Sequence, residues 1–457
     1  MSDLITLDAL GPRGSFHAHK RMTIPDVTGR PVAELSLVPP LFVNRAMSAL
    51  HKATSLSADE RAGAVARAGK LFDTATLNGL SPTAYENAVS RVAGMPISVV
   101  RAARQNVAYR VSQAYRGVQH ARPAGSAEDW RDPRTRSGHA VWVRRGDVFA
   151  VHAAGNHPGT HSLWPEALAL GYRVAVRPSR REPFTPHRLV TALRLAGFGD
   201  DQVVLLPTDH DGAEAMLRGA DLGMVYGGDE VIERYGADTG VLPQGPGRTK
   251  ILLTKDFEID AHLDTIVESI AGHGGTGCVN TTAVFVEGDP APVAAAIAER
   301  MSAFPSLPPQ DEKAVLPVHP VETARRFEKY LLGKAAGTQA WLGGEGVAHE
   351  LGDGSAVLRP AVHQLARGDA PQTGVELPFP CVWVAPWSAA DGVTPLKDSL
   401  VLTAFTRDER LVDALLAEPS ISNLYLGDHP TYWIEPGIPH DNYLADFLMR
   451  SKAVIRD

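Results

Sequence analysis

Short apolar runs alternate with segments of helical periodicity from residue 148 onwards, and this alternation restricts the fold more than any other feature of the chain. The first four runs are residues 148–153, 172–177, 203–206 and 222–226. Short β-rich runs that alternate with helices are typical of a parallel sheet with helices on both faces. The sequence therefore predicts a doubly wound α/β fold, which binds ligands at the carboxyl ends of its strands.

A second α/β series begins near residue 250 and predicts a second domain that extends to about residue 425. Its strands are expected at residues 251–253, 282–286, 340–342, 382–385, 401–405 and 423–426. Residues 118–140 are polar and rich in turn-forming residues, which favours a loop or an extended arm. Residues 1–45 are interpreted as irregular edge structure, and a capping-box pattern at Ser57 and Glu60 predicts the start of a helix.

Composition argues against several classes of protein. The formal net charge of the 457 residues is -7, with acidic and basic residues mixed, which is not typical of a nucleic-acid-binding protein. The two cysteines are far apart and suit a reducing compartment. No signal-peptide pattern is evident at the N-terminus, and no run approaches the ~20 apolar residues of a membrane span. We therefore expect a soluble cytoplasmic protein.

One of the two cysteines, Cys278, lies in a glycine-rich bend between a helix-like and a strand-like segment. Glycines on both sides let the backbone approach a ligand closely and leave room around the thiol. We therefore interpret Cys278 as a nucleophile. The alternative is a small buried residue, which a lone cysteine more often is. The second cysteine, Cys381, lies in an apolar run and is interpreted as a core residue.

Six segments occur in an order and spacing that resemble the aldehyde dehydrogenase superfamily over roughly the last two thirds of the chain. They are the strand and turn at 148–158 with Asn156, the strand end at 174–180, the turn at 225–228, the Cys278 bend, and the segments 376–380 and 402–407. Each motif is altered, but their shared order is hard to obtain by chance. The acyl-CoA reductases, including the long-chain reductases of bacterial luminescence, show a weaker similarity to the same pattern.

This resemblance implies a fold with three parts. A Rossmann-type cofactor-binding domain would comprise residues 1–117 and 141–249, and an α/β catalytic domain would comprise residues 250–429. Residues 118–140 and 430–457 would form a small β-arm that bridges the subunits of a homodimer or homotetramer. The expected partners are a small-molecule aldehyde or acyl thioester and, for a carrier-bound acyl group, a carrier protein. No nucleic-acid or membrane partner is expected.

The resemblance assigns the chemistry to Cys278 and Asn156. The Cys278 thiolate would attack a carbonyl carbon, and the Asn156 amide and the Cys278 backbone N–H would stabilise the resulting oxyanion. Gln244 stands where the family has its general-base glutamate, and a glutamine cannot take a proton from water. Slow hydrolysis of the acyl-enzyme favours NAD(P)H-dependent reduction of an acyl thioester to an aldehyde. The alternative is NAD(P)-dependent oxidation of an aldehyde to a carboxylic acid that uses another base.

The resemblance also places the cofactor. Family members that use NAD commonly have a glutamate where this chain has Arg180, and two arginines there could pair with a 2′-phosphate. We therefore predict NADPH, with NADH as the alternative cofactor; a solvated run of charge is the competing interpretation of the arginines. Glu376 would hold the nicotinamide ribose. The predicted cofactor-binding residues are Arg177, Ser179, Arg180, Gly227, Gly228, Glu376 and Phe379.

Three histidines, His152, His157 and His161, lie close together in the sequence. No cysteine or carboxylate completes a known ligand pattern, so no metal site is predicted. His157 is expected to line a substrate tunnel. A non-catalytic binding or scaffold protein that kept the fold remains an alternative from a different class, against which the combination of Cys278, Asn156 and Glu376 argues.

Overall fold

The protein is represented by a computed structural model that describes residues 4–127 and 129–457. The parts of the predicted domains that fall on residues 1–3 and on Glu128 lie outside the described residues. The strands are β1 (Ile5–Leu7), β2 (Ala9–Gly11), β3 (Gly14–Phe16), β4 (Arg21–Pro25), β5 (Pro31–Ser36), β6 (His139–Arg144), β7 (Val148–His152), β8 (Arg173–Arg177), β9 (Val203–Leu205), β10 (Leu222–Tyr226), β11 (Val241–Gln244), β12 (Thr249–Leu253), β13 (Thr281–Glu287), β14 (Val318–Pro320), β15 (Gln339–Leu342), β16 (Ala348–Glu350), β17 (Ser355–Leu358), β18 (Ala361–Gln364), β19 (Cys381–Trp387), β20 (Ser399–Phe405), β21 (Ile421–Leu426) and β22 (Met449–Val454).

Helices connect most of these strands. They are α1 (Pro40–Lys52), α2 (Ala58–Thr74), α3 (Pro82–Ala93), α4 (Ile97–Gln119), α5 (Pro165–Ala169), α6 (Phe184–Leu195), α7 (His210–Arg218), α8 (Asp229–Tyr235), α9 (Ile259–Ala271), α10 (Ala291–Ser302), α11 (Val321–Lys334), α12 (Glu409–Ala417) and α13 (Leu444–Leu448). The capping box predicted for Ser57 and Glu60 is present at the start of α2.

Two seven-stranded sheets form the centre of the molecule. The first has the order β11-β10-β7-β8-β9-β2-β3, in which β7 to β11 are parallel and β2 and β3 are antiparallel additions at one edge. The second has the order β15-β18-β19-β13-β12-β20-β21 and is parallel except at β15. This architecture confirms the predicted α/β fold class with a Rossmann-type sheet.

The central strand β7 shows why the first sheet needs helices on both faces. All five of its residues are buried. Because successive side chains point to opposite faces of a sheet, Phe149 and Val151 pack in one hydrophobic core with α2, α4 and α6. Val148 and Ala150 pack in a second core with α1 and α7. The continuous apolar run is therefore a consequence of burial on both faces.

Two regions differ from the prediction. Residues 1–45 were expected to be irregular, but five strands, β1 to β5, lie there. β1, β3 and β4 are only partly buried, so they lack the continuous apolar run that marks a central strand such as β7. The helix expected at residues 161–170 is instead a 3-10 turn at Pro158–Ser162 followed by α5. Pro165 explains the division, because proline favours the first turn of a helix.

The chain ends in a two-stranded ribbon and a segment that returns to the centre of the molecule. β6 and β22 pair antiparallel, and Ile455 beyond them is 77% exposed. A role of this ribbon in bridging subunits stays a prediction. Residues 430–441, which were predicted to belong to the arm, lie instead against the Cys278 loop, where the Thr431 hydroxyl donates to the Val279 carbonyl at 2.7 Å.

Within residues 4–127 and 129–457, no helix is both long enough and apolar enough to cross a membrane.

Candidate active site

Cys278 lies between α9 and β13, directly after a 3-10 turn at Gly272–Gly275. The φ angle is +57° at His273 and +65° at Gly275. Gly275 cannot be replaced without a shift of the chain, because a Cβ there would lie 2.4 Å from the Pro380 nitrogen. Gly247 also packs closely against the loop, because a Cβ at this position would lie 1.8 Å from the Cys278 carbonyl oxygen. The glycines therefore permit the close packing that fixes the position of the thiol.

Two buried side chains hold this loop. Asn280 donates its amide to the Gly272 carbonyl at 2.7 Å and accepts from the Gly277 N–H at 2.8 Å. The Thr249 hydroxyl donates to the Cys278 carbonyl at 2.9 Å. The sequence did not single out either residue, because asparagine and threonine occur in turns for many reasons.

Cys278 borders two cavities. The inter-sheet cavity, of about 560 Å³, lies between the loops after the parallel strands of the first sheet and the loops before the strands of the second. The helix-side cavity, of about 350 Å³, lies between α4, the turn after β7 and residues 432–435. Both cavities are bordered by Asn156, Thr160, Tyr226, Gly277, Cys278 and His440. The thiol is thus accessible to two ligands from different sides.

The thiol contacts a histidine that the sequence analysis did not identify. Nε2 of His440 lies 3.6 Å from Cys278 Sγ, and Nδ1 lies 3.6 Å from a carboxylate oxygen of Asp441. Burial lowers the pKa of His440, but Asp441 and Cys278 outweigh burial and raise this pKa from 6.5 to about 10. A thiol, an imidazole and a carboxylate in series can activate a nucleophile and move a proton.

Gln244 takes part in this arrangement. Its side-chain amide donates to the second carboxylate oxygen of Asp441 at 3.0 Å. Gln244 therefore orients the carboxylate that faces His440. The expectation of slow hydrolysis assumed that Gln244 left the site without a base, and it stays a prediction. His440 is a titratable group beside the thiol, so the missing glutamate does not by itself prevent proton abstraction from water.

The sequence carries little signal for His440. The residue lies in a loop with glycine and proline neighbours, 162 positions after Cys278. It reaches the thiol only because residues 430–441 fold back over the Cys278 loop, where the Asn423 amide also donates to the His440 carbonyl. A contact between segments so far apart in sequence follows from the tertiary fold and from no local pattern.

Asn156 lies in the turn after β7, where the resemblance predicted it. Its amide donates to the Thr276 carbonyl at 3.0 Å, which ties the turn to the Cys278 loop. A side-chain amide has two N–H groups, so one remains for a substrate oxygen. Stabilisation of an oxyanion by Asn156 stays a prediction.

The residues predicted to bind the cofactor fall into two groups. Arg177 and Arg180 do not line the inter-sheet cavity. The Arg177 Nε donates to the Thr208 carbonyl at 3.3 Å, and Arg180 is exposed. The neighbouring Arg181, which was not predicted, lines the cavity. The predicted residues that do line it are Ser179, Gly227, Gly228, Glu376 and Phe379.

The clustered histidines have separate environments. His157 stacks on His273 with ring centroids 5.0 Å apart, and both border the helix-side cavity. His161 accepts a hydrogen bond from the Trp164 indole at 3.2 Å. Burial lowers the pKa of His152 to about 4 and that of His157 and His161 to about 3. Across the described parts of the chain, no three histidine, cysteine or acidic residues are grouped as metal ligands.

Solved structures share this architecture along the whole chain. The chain is similar to 1-pyrroline-5-carboxylate dehydrogenase of Thermus thermophilus (16% identity, 99% of this chain and 93% of that chain, TM-score 0.82). It is similar to an NAD-dependent aldehyde dehydrogenase of Sinorhizobium meliloti (18%, 98% and 94%, TM-score 0.83). It is also similar to indole-3-acetaldehyde dehydrogenase of P. syringae, solved in complex with NAD+ and IAA (16%, 99% and 97%, TM-score 0.84). At these identities the likeness concerns the fold.

Sequence comparison gives the family. Among curated proteins, an aldehyde-dehydrogenase-like protein of Sinorhizobium fredii is 24% identical over 134 residues, or 28% of this chain. The match spans only 26% of the length of that relative. The family model described as the aldehyde dehydrogenase family matches residues 41–393, which is well over half of the 457 residues. With the fold and the cysteine loop in place, this match shows that the chain belongs to the aldehyde dehydrogenase family.

Proposed function

We propose that the protein is an NAD(P)-dependent oxidoreductase that oxidises an aldehyde to a carboxylic acid through a covalent intermediate on Cys278. The observation that carries this proposal is the contact between Cys278 and His440, whose ring is flanked by Asp441. This pair supplies the base that the position of Gln244 lacks. Membership of the aldehyde dehydrogenase family supports the same direction of reaction.

The first step joins the Cys278 sulfur to the aldehyde carbon. The imidazolium of His440, 3.6 Å from the sulfur, stabilises negative charge on the attacking atom. As the bond forms, the aldehyde oxygen gains the negative charge. The free N–H of Asn156 and the backbone N–H of Cys278 donate to this oxygen, and such donors typically contribute on the order of a hundredfold or more in rate.

The inter-sheet cavity fits a nicotinamide dinucleotide. Its volume is within the ordinary range for ligand sites. Gly227 and Gly228 leave the backbone open along one wall, and Phe379 gives a buried apolar surface on another. Glu376 accepts the Arg248 N–H and lines the cavity, where its carboxylate would hold the nicotinamide ribose. When bound, the nicotinamide supplies the hydride acceptor that converts the adduct on Cys278 into a thioester.

His440 then acts on water. Once the sulfur is acylated its negative charge is gone, which removes one of the interactions that raise the pKa of His440. The imidazolium therefore releases its proton to solvent more readily. The neutral ring takes a proton from the water that attacks the thioester carbon, the carbon–sulfur bond breaks, and the acid leaves as the Cys278 thiolate is restored.

A two-part assay tests the proposed reaction. The protein is incubated with aldehydes and NADP+ or NAD+ in the absence of any thiol acceptor, and then with acyl-CoA and NADPH. We expect acid and reduced cofactor to form in equal amounts in the first incubation. Aldehyde formation in the second incubation, with no acid in the first, would contradict the proposal.

We further propose that NADP+ is the preferred form of the cofactor. Arg177 and Arg180 lie at and just beyond the carboxyl end of β8, and the neighbouring Ser179 and Arg181 line the cavity. Within the described residues, the exposed guanidinium of Arg180 has no hydrogen-bond or ion-pair partner. A guanidinium in this state is free to pair with a 2′-phosphate at the edge of the site.

Replacing Arg180 with glutamate should lower kcat/KM for NADP+ on the order of ten- to a hundredfold, because a carboxylate repels the 2′-phosphate. The value for NAD+ should change only a few-fold. Steady-state kinetics with both cofactors measure the ratio, and Arg218→Glu, at an exposed arginine of α7, is the control for the change of charge. Equal losses with both cofactors would argue against this role of Arg180.

A second candidate function is NADPH-dependent reduction of an acyl thioester, carried by CoA or by a carrier protein, to an aldehyde. Gln244 at the position of the family's glutamate is the observation that favours it. A thiol has a reference pKa of about 8.5 and needs less help from a base than water does. The acyl acceptor of the Cys278 thioester would then be a thiol.

Gln244→Glu separates the two candidates. In the oxidation mechanism it replaces the amide that donates to Asp441 with a second carboxylate, so acid formation should fall roughly tenfold. Gln244→Leu, which removes the amide without adding charge, should show a smaller fall. Stopped-flow absorbance of the reduced cofactor gives the steady-state rate of each variant, which acid formation limits. If Gln244→Glu instead accelerates hydrolysis, His440 is not the base in the native protein and thioester reduction becomes the better account.

A further inference from the structure

We propose that Arg110 binds a carboxylate of the substrate, so that the preferred aldehyde carries a second, anionic end. This inference rests on the proposed aldehyde oxidation and names the class of aldehyde. It places the reacting carbonyl at Cys278 and the substrate's charge at the α4 wall of the same cavity.

The position of Arg110 is the first observation. The residue lies on α4, and its side chain lines the helix-side cavity that Cys278 and Asn156 also border. Among the residues that the structure describes, Arg110 is the only lysine or arginine in that lining. Burial lowers the pKa of its guanidinium, which remains a cation because an arginine pKa is above 12 in water. The cavity therefore carries a fixed positive charge away from the reacting sulfur, and the exposed carboxylate of Glu435 lines the same cavity.

The second observation is that this charge lacks a partner. No hydrogen bond, ion pair or ring contact of Arg110 occurs in the part of the chain that the structure describes, although the charges of Glu166 and Glu435 act on it. A cation withdrawn from water is costly without a hydrogen-bonded anion. A planar guanidinium can bind a carboxylate through two parallel hydrogen bonds.

The nearby acids do not remove the need for a ligand. Burial raises the pKa of Glu166 to about 7, so this carboxyl is partly protonated near neutral pH and balances Arg110 incompletely. Glu435 is exposed, and it accepts a hydrogen bond from the Tyr109 hydroxyl at 3.3 Å. Within residues 4–127 and 129–457, neither acid forms an ion pair with Arg110.

The rest of the cavity suits a short carbon chain between the two ends. Its walls include Ala103, Leu163, Val279 and Ile434, which offer no charge. Burial lowers the pKa of His157 and so keeps its ring neutral at the pH of an ordinary assay. A volume of about 350 Å³ is near the lower limit for ligand sites, which favours a small substrate.

The test compares aldehydes of four and five carbons that differ only in an ω-carboxylate. For the wild type we expect kcat/KM to be higher for the carboxylated member of each pair. In Arg110→Gln this value should fall on the order of ten- to a hundredfold, chiefly through KM, while the unsubstituted aldehyde changes less than about threefold. Arg110→Lys should recover part of the loss, because it keeps the charge without the planar fork. Arg116→Gln, at an exposed arginine of α4 outside the cavity, should leave both values unchanged.

A binding experiment gives a readout that does not depend on turnover. Calorimetric titration with the glutarate dianion should show binding to the wild type and at least tenfold weaker binding to Arg110→Gln, with thermal unfolding checking that the variant folds. Equal losses for charged and neutral aldehydes, or glutarate binding that ignores Arg110, would overturn this inference and leave aldehyde oxidation standing. Failure of the wild type to oxidise any aldehyde would instead refute the proposed function, and the glutarate titration would still decide whether Arg110 binds a carboxylate.

Discussion

Replacing Cys278 with alanine should lower aldehyde oxidation on the order of a thousandfold or more, because it removes the sulfur that forms the proposed covalent intermediate. The fold should survive, since among the described residues the hydrogen-bond partner of the thiol is His440, and the loop is held by Asn280 and Thr249. Cofactor binding should therefore persist. Steady-state rates, thermal unfolding and fluorescence titration with NADPH measure these three properties.

The second cysteine provides a matched control. Cys381 is buried in β19, and burial raises the pKa of its thiol, so it should not react. In His440→Ala, where hydrolysis is slow, intact-protein mass spectrometry after incubation with a panel of acyl thioesters should show one acyl adduct, and the added substitution Cys381→Ala should leave it unchanged. No adduct should form on Cys278→Ala. An adduct that persists in Cys278→Ala would mean that another residue is the nucleophile.

Replacing His440 with alanine is expected to slow turnover on the order of a hundredfold or more, the usual contribution of a general base. The loss should fall mainly on hydrolysis of the thioester. A rapid burst of reduced cofactor, close to one equivalent per Cys278, should precede a slow steady state in stopped-flow measurements. His349→Ala, at an exposed histidine on β16, should behave as the wild type. Loss of the burst itself would place His440 in thiol activation alone.

His440 should also leave a signature in the pH dependence of stability. The fold raises the pKa of this residue from 6.5 to about 10, so the folded state binds the proton more tightly than the unfolded chain does. Its contribution to the free energy of unfolding is therefore complete below about pH 6.5 and is lost as the pH rises towards 10. Chemical denaturation across this range should show a loss in the wild type that is smaller in His440→Ala.

The sequence predicted those parts of the protein that local patterns encode. The apolar run of β7 is continuous because helices cover both faces of the sheet, so its pattern alone identified a buried parallel strand. The glycines around Cys278 predicted a tight bend. In the structure, Gly275 lies so close to Pro380, and Gly247 so close to Cys278, that neither position has room for a side chain. Strands β1 to β5 were not recognised, because β1, β3 and β4 are partly exposed and carry no continuous apolar run.

The contact of His440 with the thiol could not be predicted from local sequence patterns. His440 and Asp441 lie in a loop with no regular structure, and their contact with Cys278 arises only when the chain folds back. A glutamine cannot take a proton from water, but the hydrogen bond of Gln244 to Asp441 could not be inferred from its neighbours in sequence. The proposed direction of the reaction therefore depends on a tertiary contact.

The lifetime of the acyl group on Cys278 tests the central claim most directly. Rapid-quench mass spectrometry would follow the protein after one turnover with aldehyde and oxidised cofactor, with and without added CoA. If His440 activates water, the adduct should disappear without CoA in the wild type and persist in His440→Ala. An adduct that is stable in the wild type until a thiol is added would contradict the account.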